Sequence, residues 1–135
     1  RNNNRVFLAG GELRAHDGGA FGKEALEYVK QFNVQYAILS VAAINASAGF
    51  MLHDIEEAEF SREISSRARI RIVAADSAKF NKSGPIILSQ PSDFDMLVSD
   101  RMPPPDICRM LADNEVDLVL TEDQRGQHHA NNKAG

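Results

Sequence analysis

Short apolar runs alternate with amphipathic stretches along this chain, and the alternation restricts its fold. The longest apolar run covers residues 34–44 and follows closely on a segment, residues 21–32, whose apolar side chains recur at helical spacing. A long apolar run joined to a helix by a short connection is typical of a parallel strand that is covered on both faces. We therefore expect residues 34–44 to form a central strand of a parallel sheet.

The same periodicities predict the remaining elements. We expect strands at residues 5–9, 71–75, 86–88, 96–98 and 117–120, a helix that begins near Asp54 with apolar positions at Phe60, Ile64 and Ala68, and a helix over residues 105–113. Strands that alternate with helices indicate an α/β fold with a largely parallel sheet flanked by helices. We expect one domain over residues 1–122 and a polar, flexible tail over residues 123–135.

Composition and charge exclude several kinds of protein. The net charge of −4 over 135 residues argues against extended contact with nucleic acid, because phosphate binding needs a local excess of Lys and Arg. No apolar run approaches the ~20 residues of a membrane span. Cys108 is the only cysteine, so the chain forms no internal disulfide; this favours the cytoplasm, with Cys108 as a buried helix residue. The four histidines lack zinc-site spacing, and we expect neither a metal nor a cofactor.

Candidate ligand-binding residues follow from the position of the strand ends. Ligands of parallel sheets collect at the carboxyl ends of the strands, which here include residues 40–45 and Ser99–Asp100. Asp76 ends another predicted strand, and Lys79 lies three residues later. The lysine offers a mobile positive charge for a phosphate, and the aspartate offers an acceptor for a sugar hydroxyl. The alternative is a surface salt bridge that closes a loop.

Two further positions have both a structural and a binding interpretation. Gly10 and Gly11 follow the first predicted strand, where they form either a simple turn or a set of backbone amides that face an anion. Asp54 and Glu57 have the spacing of a capping box at a helix start. Glu57 either completes that box or points into the cleft at the strand ends and binds a polyol hydroxyl.

Four segments, in order along the chain, are similar to motifs of one protein family. They are Leu-Ala-Gly-Gly-Glu-Leu-Arg at residues 8–14, Asp-Gly-Gly-Ala-Phe-Gly-Lys-Glu-Ala at 17–25, Asp-Ser-Ala-Lys-Phe at 76–80, and Ser-Asp before a proline run at 99–105. Together they resemble the DeoR family of transcriptional repressors, in its glycerol-3-phosphate regulon repressor branch. The resemblance extends from about residue 5 to residue 121.

The resemblance implies a sensor domain with a fold like that of sugar-phosphate isomerases, used to sense a ligand and not to convert it. Its effector would be a phosphorylated sugar or polyol, with glycerol 3-phosphate as the first candidate. The family's motif residues around the effector cleft correspond here to Gly10, Gly11, Glu57, Asp76 and Lys79. The resemblance also implies self-association, and operator DNA binding only through an N-terminal helix-turn-helix domain outside this chain.

The sequence departs from the family pattern in two ways. The Asp-x-Gly-Thr-Thr phosphate loop is not in this chain, so we expect the sensor domain to be incomplete at its N-terminal side. The Gly-Ile-Ser-Gly strand end of the family is Ser-Val-Ala-Ala here, at residues 40–43, which adds methyl groups where backbone would approach the ligand. Two alternatives remain: a sugar-phosphate isomerase-like enzyme with Glu57 as general base, and a chain that serves mainly as an association surface.

Overall fold

The computed structural model describes residues 4–9 and 22–121 of the chain, which contain three helices and seven strands. The helices are α1 (Lys23–Val29), α2 (Ile55–Ser66) and α3 (Pro105–Asp113). The strands are β1 (Val34–Ser40), β2 (Ala43–Asn45), β3 (Gly49–Leu52), β4 (Ala68–Ala74), β5 (Ile86–Ser89), β6 (Met96–Ser99) and β7 (Asp117–Leu120). Short 3-10 turns occupy Ser77–Lys79 and Pro91–Asp93. None of the described helices has the length and apolar character needed to cross a membrane.

Four of the strands form a parallel sheet in the order β1-β4-β6-β7. One row of the register runs through Leu39, Val73, Leu97 and Leu118, and these side chains belong to or pack against the hydrophobic core. Because all four strands are parallel, their carboxyl ends lie along one edge of the sheet. The predicted α/β fold with a largely parallel sheet flanked by helices is confirmed.

A second, antiparallel sheet was not predicted. It has the order β2-β3-β5 and covers part of the core with Phe50, Leu52 and Leu88. The apolar run over residues 34–44 therefore does not form one strand. It leaves the parallel sheet after Ser40 and enters the antiparallel sheet at Ala43.

The prediction that this run forms a central strand covered on both faces is wrong for the described part of the chain. β1 lies at the edge of the parallel sheet, and only its inner face is covered. Ala37 and Leu39 are buried, whereas the outward-facing Tyr36 and Ile38 are 57% and 69% exposed. The apolar composition of the strand suits two covered faces, but α2, α3 and the second sheet all contribute to a core on one side.

The predicted strand at residues 5–9 is also wrong, since these residues have no regular secondary structure. Val6 and Leu8 are 83% and 85% exposed, while the ring of Phe7 lies 5.8 Å from that of Phe32. A strand is stabilised by hydrogen bonds to a neighbouring strand, and none pairs with this segment in the described ranges.

The observed helices agree with those predicted from the spacing of apolar residues. α1 is shorter than predicted but buries Ala25 and Val29, and α3 has the predicted bounds. α2 begins where expected, with Asp54 as its N-cap, although Ala68, predicted as a helix position, begins β4. Cys108 is only half-buried, because Ile107 and Leu111 occupy the core-facing side of α3; its thiol donates to the carbonyl of Pro103 (3.3 Å).

Candidate functional site

Polar side chains gather at the edge where the parallel strands end. Ser40 is the last residue of β1, Asp76 follows β4 by two residues, Ser99 ends β6, and Thr121 directly follows β7. The hydroxyl of Thr121 donates to the carbonyl oxygen of Ser99 at 3.4 Å, which joins the ends of β6 and β7. This is the edge at which open α/β sheets bind ligands.

The carboxylate of Asp100 organises this edge. It accepts a hydrogen bond from the backbone amide of Ser77 at 2.7 Å and a longer one from the Ser77 hydroxyl at 3.3 Å. The hydroxyl of the buried Ser99 donates to the same carboxylate at 3.4 Å. Asp100 thus fastens the loop after β4 to the end of the neighbouring strand β6.

These hydrogen bonds also set the charge state of Asp100. Desolvation at the strand end raises the pKa of its carboxyl group, but the hydrogen bonds from Ser77, from the Asp100 backbone amide and from Ser99 together lower it by more. The pKa of Asp100 therefore lies below its ordinary value. The carboxylate stays ionised and keeps the loop in place at neutral pH.

Asp76 and Lys79 belong to the fastened loop, but they do not form the salt bridge considered from the sequence. Asp76 instead accepts a hydrogen bond from the amide of Ala78 at 2.9 Å and so caps the 3-10 turn Ser77–Lys79. Lys79 is half-buried, and its ammonium group has no hydrogen-bond or ion-pair partner within residues 4–9 and 22–121. Within the described ranges, the turn therefore presents a positive charge without a partner.

The far side of the loop is held by the second sheet. Phe80 forms a β-bridge with Ile44, and the amide of Asn81 donates to the carbonyl of Ile44 at 2.8 Å. Asn45 continues this contact, because its side-chain amide donates to the carbonyl of Lys82 at 3.0 Å. The loop is thus fixed at both ends, so the position of Lys79 between them is constrained.

Glu57 lies on the first turn of α2, half-buried, next to the N-cap Asp54, whose side chain accepts from the amide of Glu56 at 2.8 Å. α2 ends beside the start of the sheet, since the carbonyl of Arg67 accepts from the amide of Val34 at 2.9 Å. The helix therefore runs opposite to the strands, and its first turn lies toward the edge that carries Asp76 and Lys79. Gly10 and Gly11 lie outside the described residues.

The sequence marked the Ser99–Asp100 strand end as a ligand position but did not predict that Asp100 anchors the loop. That role depends on a contact across 23 residues, between Asp100 and Ser77, which no local pattern encodes. Among the described residues, no group of three or more His, Cys, Asp or Glu side chains is placed to hold a metal ion. The described part of this edge thus offers hydroxyls and carboxylates, which can hydrogen-bond to hydroxyl groups, and the ammonium of Lys79, which can bind an anion.

The sequence model described as the DeoR C terminal sensor domain matches residues 1–101 of this chain. The chain belongs to this family. It is 30% identical over 116 residues to the glycerol-3-phosphate regulon repressor of Escherichia coli K12, which covers 86% of this chain and 46% of the relative. It is 28% identical over 118 residues to the HTH-type transcriptional repressor CsqR of the same organism (87% and 45%). The HTH-type transcriptional repressor GlcR of Bacillus subtilis 168 is 25% identical over 122 residues (90% and 47%).

The relatives are named as transcriptional repressors, which agrees with the prediction of a regulator and gives the isomerase-like alternative no support. The resemblance to the glycerol-3-phosphate regulon branch is confirmed as well. The chain spans about half the length of the curated DeoR relatives it matches.

Proposed function

We propose that this chain is the effector-sensing part of a DNA-binding transcriptional repressor, with a phosphorylated sugar or polyol as its effector. The observation that carries the proposal is the half-buried ammonium of Lys79, which has no partner among the described residues and lies at the carboxyl edge of a DeoR sensor sheet. Glycerol 3-phosphate is the first candidate, because a relative at 30% identity is named for that regulon. The sensor unit would comprise residues 1–122, followed by the polar tail 123–135.

Each proposed ligand contact follows from the chemistry of the side chain. Lys79 would bind the phosphate as a point charge. Asp76 would accept a polyol hydroxyl through its second carboxylate oxygen, since the first already accepts from Ala78. Glu57 would accept another hydroxyl from the first turn of α2, and backbone amides of Gly10 and Gly11 would complete the anion site.

The proposed mechanism is a shift between two arrangements of the whole repressor. Operator DNA would be bound by a helix-turn-helix domain outside this chain, as the net charge of −4 suits a sensor and not a DNA-binding surface. An effector that binds the DNA-free arrangement more tightly releases the operator, and a differential affinity of about 1–3 kcal/mol is typical of such coupling. A repressor of this kind acts in the cytoplasm.

The test uses an intact repressor that carries this segment. Titration with glycerol 3-phosphate and other sugar phosphates is followed by calorimetry and by release from operator DNA. Lys79→Ala is expected to weaken effector binding about tenfold, the loss of one charge-assisted contact. Lys82→Ala is the matched control, an exposed lysine three residues further along the same loop. The absence of both heat and operator release with every sugar phosphate would reject the proposal.

We further propose that the protein self-associates through the outer face of the parallel sheet. Tyr36 and Ile38 are exposed on this face, although parallel sheets are normally covered on both sides. Sedimentation of the chain at several concentrations should show an assembly that Ile38→Asp dissociates. Ile87→Asp is the control, because Ile87 is similarly exposed (54%) but lies on β5 of the other sheet. A chain that remains monomeric at all concentrations would contradict this proposal.

A further inference from the structure

A polar cavity lies at the end of the parallel sheet opposite the proposed effector site. Its volume is about 340 Å³, within the range of pockets that hold small ligands. The cavity is bounded by the last turns of α2, by the part of β4 that contains Arg71, and by the segment between β5 and β6. The polar residues that line it are Arg62, Ser65, Ser66, Arg71, Ser89 and Asp93.

Backbone carbonyls hold both arginines of this cavity in place. Arg62 donates from Nε to the carbonyl of Leu88 at 2.7 Å and from Nη2 to that of Ile87 at 2.8 Å. Arg71 donates from Nε to the carbonyl of Ser65 at 2.8 Å and makes a longer contact, 3.4 Å, from Nη1 to that of Asp93. A guanidinium has five N–H donors, so each arginine keeps several for a ligand.

Neither of these guanidinium groups is paired with a carboxylate of the described residues. Within the part of the chain that the structure describes, the ion pairs are Lys30–Glu27 and Arg67–Glu63, and Arg62 and Arg71 take part in none. Asp95 binds the backbone amide of Arg71 and not its guanidinium. Asp93 lines the cavity, so the charged side chains around it are two cations and one anion.

The cavity is also lined by a buried hydroxyl that has no partner in the described part of the chain. Ser65 is only 7% exposed, and its side chain forms no hydrogen bond with any described residue. A serine in a helix ordinarily donates to a carbonyl one turn earlier, and a buried hydroxyl left unsatisfied costs free energy. A bound acceptor would satisfy it. The hydroxyl of Ser89 offers a second donor without a partner in the described residues.

We propose that this cavity binds a phosphate monoester or free phosphate. Two guanidinium groups, held by backbone carbonyls and without a carboxylate partner in the described residues, keep N–H donors of the kind that bind the oxygens of a phosphate. The hydroxyls of Ser65 and Ser89 supply neutral donors beside them. The site is separate from the proposed effector site, but α2 connects the two, since Glu57 lies on its first turn and Ser65 on its last.

The experiment is a titration of the chain with inorganic phosphate, followed by amide chemical shifts. Shifts are expected at Ser65, Ser66 and Ser89, at the cavity. Shifts confined to Ser77 and Asp100 would place the anion at the other end of the sheet and overturn the proposal, as would the absence of any shift. The amides at the two ends of the sheet report on the two sites separately. The experiment can therefore reject the phosphate site without rejecting the proposed effector site, and the reverse.

Variants test the role of each group. Arg71→Lys and Arg62→Lys keep the positive charge but remove the planar set of guanidinium N–H donors. Each is expected to weaken phosphate binding about tenfold. Ser65→Ala should weaken binding several-fold without lowering the thermal midpoint, since the hydroxyl forms no hydrogen bond with the described residues. Asp93→Asn should strengthen binding. Arg69→Lys, an exposed position on the same strand, is the control. Affinities unchanged in both arginine variants would overturn the assignment.

A comparison of ligands identifies the source of the phosphate group. Glycerol 3-phosphate and a nucleoside monophosphate are titrated beside inorganic phosphate, with the Ser65 amide as the probe. Tighter binding of an organic monoester would support a metabolite as the natural ligand, and equal binding would support free phosphate. Binding of sulfate and chloride as tightly as phosphate would indicate an unspecific positive surface and contradict the proposal.

Discussion

At the scale of single residues, one carboxylate determines the shape of the proposed effector site. Asp100 accepts from both the amide and the hydroxyl of Ser77, and so places the turn that carries Lys79. The sequence identified Asp76 and Lys79 because both follow directly from a strand end. The anchoring role of Asp100 could not be predicted, because it depends on how close the ends of β4 and β6 come in the folded sheet.

The ionisation of Asp100 gives the site a defined pH dependence. Its folded-state pKa lies below the unfolded value of about 4. The anchored carboxylate therefore stabilises the fold at pH values above that unfolded value, and the contribution is lost as the pH falls through the folded-state pKa. Asp100→Asn is expected to lower the urea midpoint near neutral pH and to have a diminishing effect in acid. Asp113→Asn, at an exposed position, is the control; a difference that grows on acidification would contradict the prediction.

Buried residues are expected to contribute more to the free energy of unfolding than exposed residues of the same type. Leu97 is fully buried in the parallel sheet, whereas Leu8 is 85% exposed. Leu97→Ala removes buried methyl groups and leaves a cavity, so it should lower the free energy of unfolding by about 2–5 kcal/mol. Leu8→Ala should change it by less than about 0.5 kcal/mol. Urea denaturation of both variants measures the contrast, and equal effects would contradict the burial of Leu97.

At the scale of elements, the periodicity of the sequence predicted all three helices and most of the strands. It failed where the chain changes sheets. Residues 34–44 are apolar except for Gln35 and Ser40, and the break between Ser40 and Ala43 carries no Gly or Pro to mark it. The hairpin that follows is fixed by side-chain hydrogen bonds, because the Asn45 carboxamide oxygen accepts from the Ala48 amide at 2.7 Å. Strand pairing of this kind depends on long-range contacts that hydrophobic pattern alone does not specify.

The hairpin depends on the glycine at the start of β3. Gly49 has a φ of +77°, and a Cβ atom there would lie 2.8 Å from Cγ of Pro91. Gly49→Ala is therefore expected to destabilise the protein by more than about 1 kcal/mol, in thermal or urea unfolding. Asn81 also has a positive φ, of 59°, so Asn81→Gly at that position should change stability by less than about 1 kcal/mol. Tolerance of alanine at position 49 would contradict the hairpin geometry.

At the scale of the whole molecule, the parallel sheet is covered on one side only in the described residues. The sequence predicted a central strand at residues 34–44 because β1 carries apolar side chains on both of its faces. The hydrophobic pattern shows that both faces of β1 are apolar enough to be buried, but it does not show which segment or chain covers each face. The same limit applies to residues 5–9, whose strand-like sequence lacks a neighbouring strand in the described ranges.

The strands of the parallel sheet differ in their number of hydrogen-bonded neighbours, so we expect local stability to differ from strand to strand. β4 has hydrogen-bonded neighbours on both sides, whereas β1 has one, so amide protons of β4 are expected to exchange most slowly in native-state hydrogen exchange. The slowest should include Val73, which is fully buried. Amides of β1 that point away from β4 should exchange faster, by at least about tenfold. Uniform protection across β1 and β4 would indicate that another segment or copy pairs with the edge of β1.

The passage of the chain from one sheet to the other has a mechanical consequence. Val41 and Ala42 form the joint, with Ser40 at the carboxyl edge of the parallel sheet on one side and the hairpin arm, β2 and β3, on the other. The loop after β4 rests on that arm through Ile44. The strands of this hairpin are buried in the core, and the side-chain amide of Asn45 at the end of β2 donates to the carbonyl of Lys82, so the hairpin is coupled to the loop that carries Lys79. We therefore expect a displacement of that loop to move the hairpin tip, residues 46–48, with it.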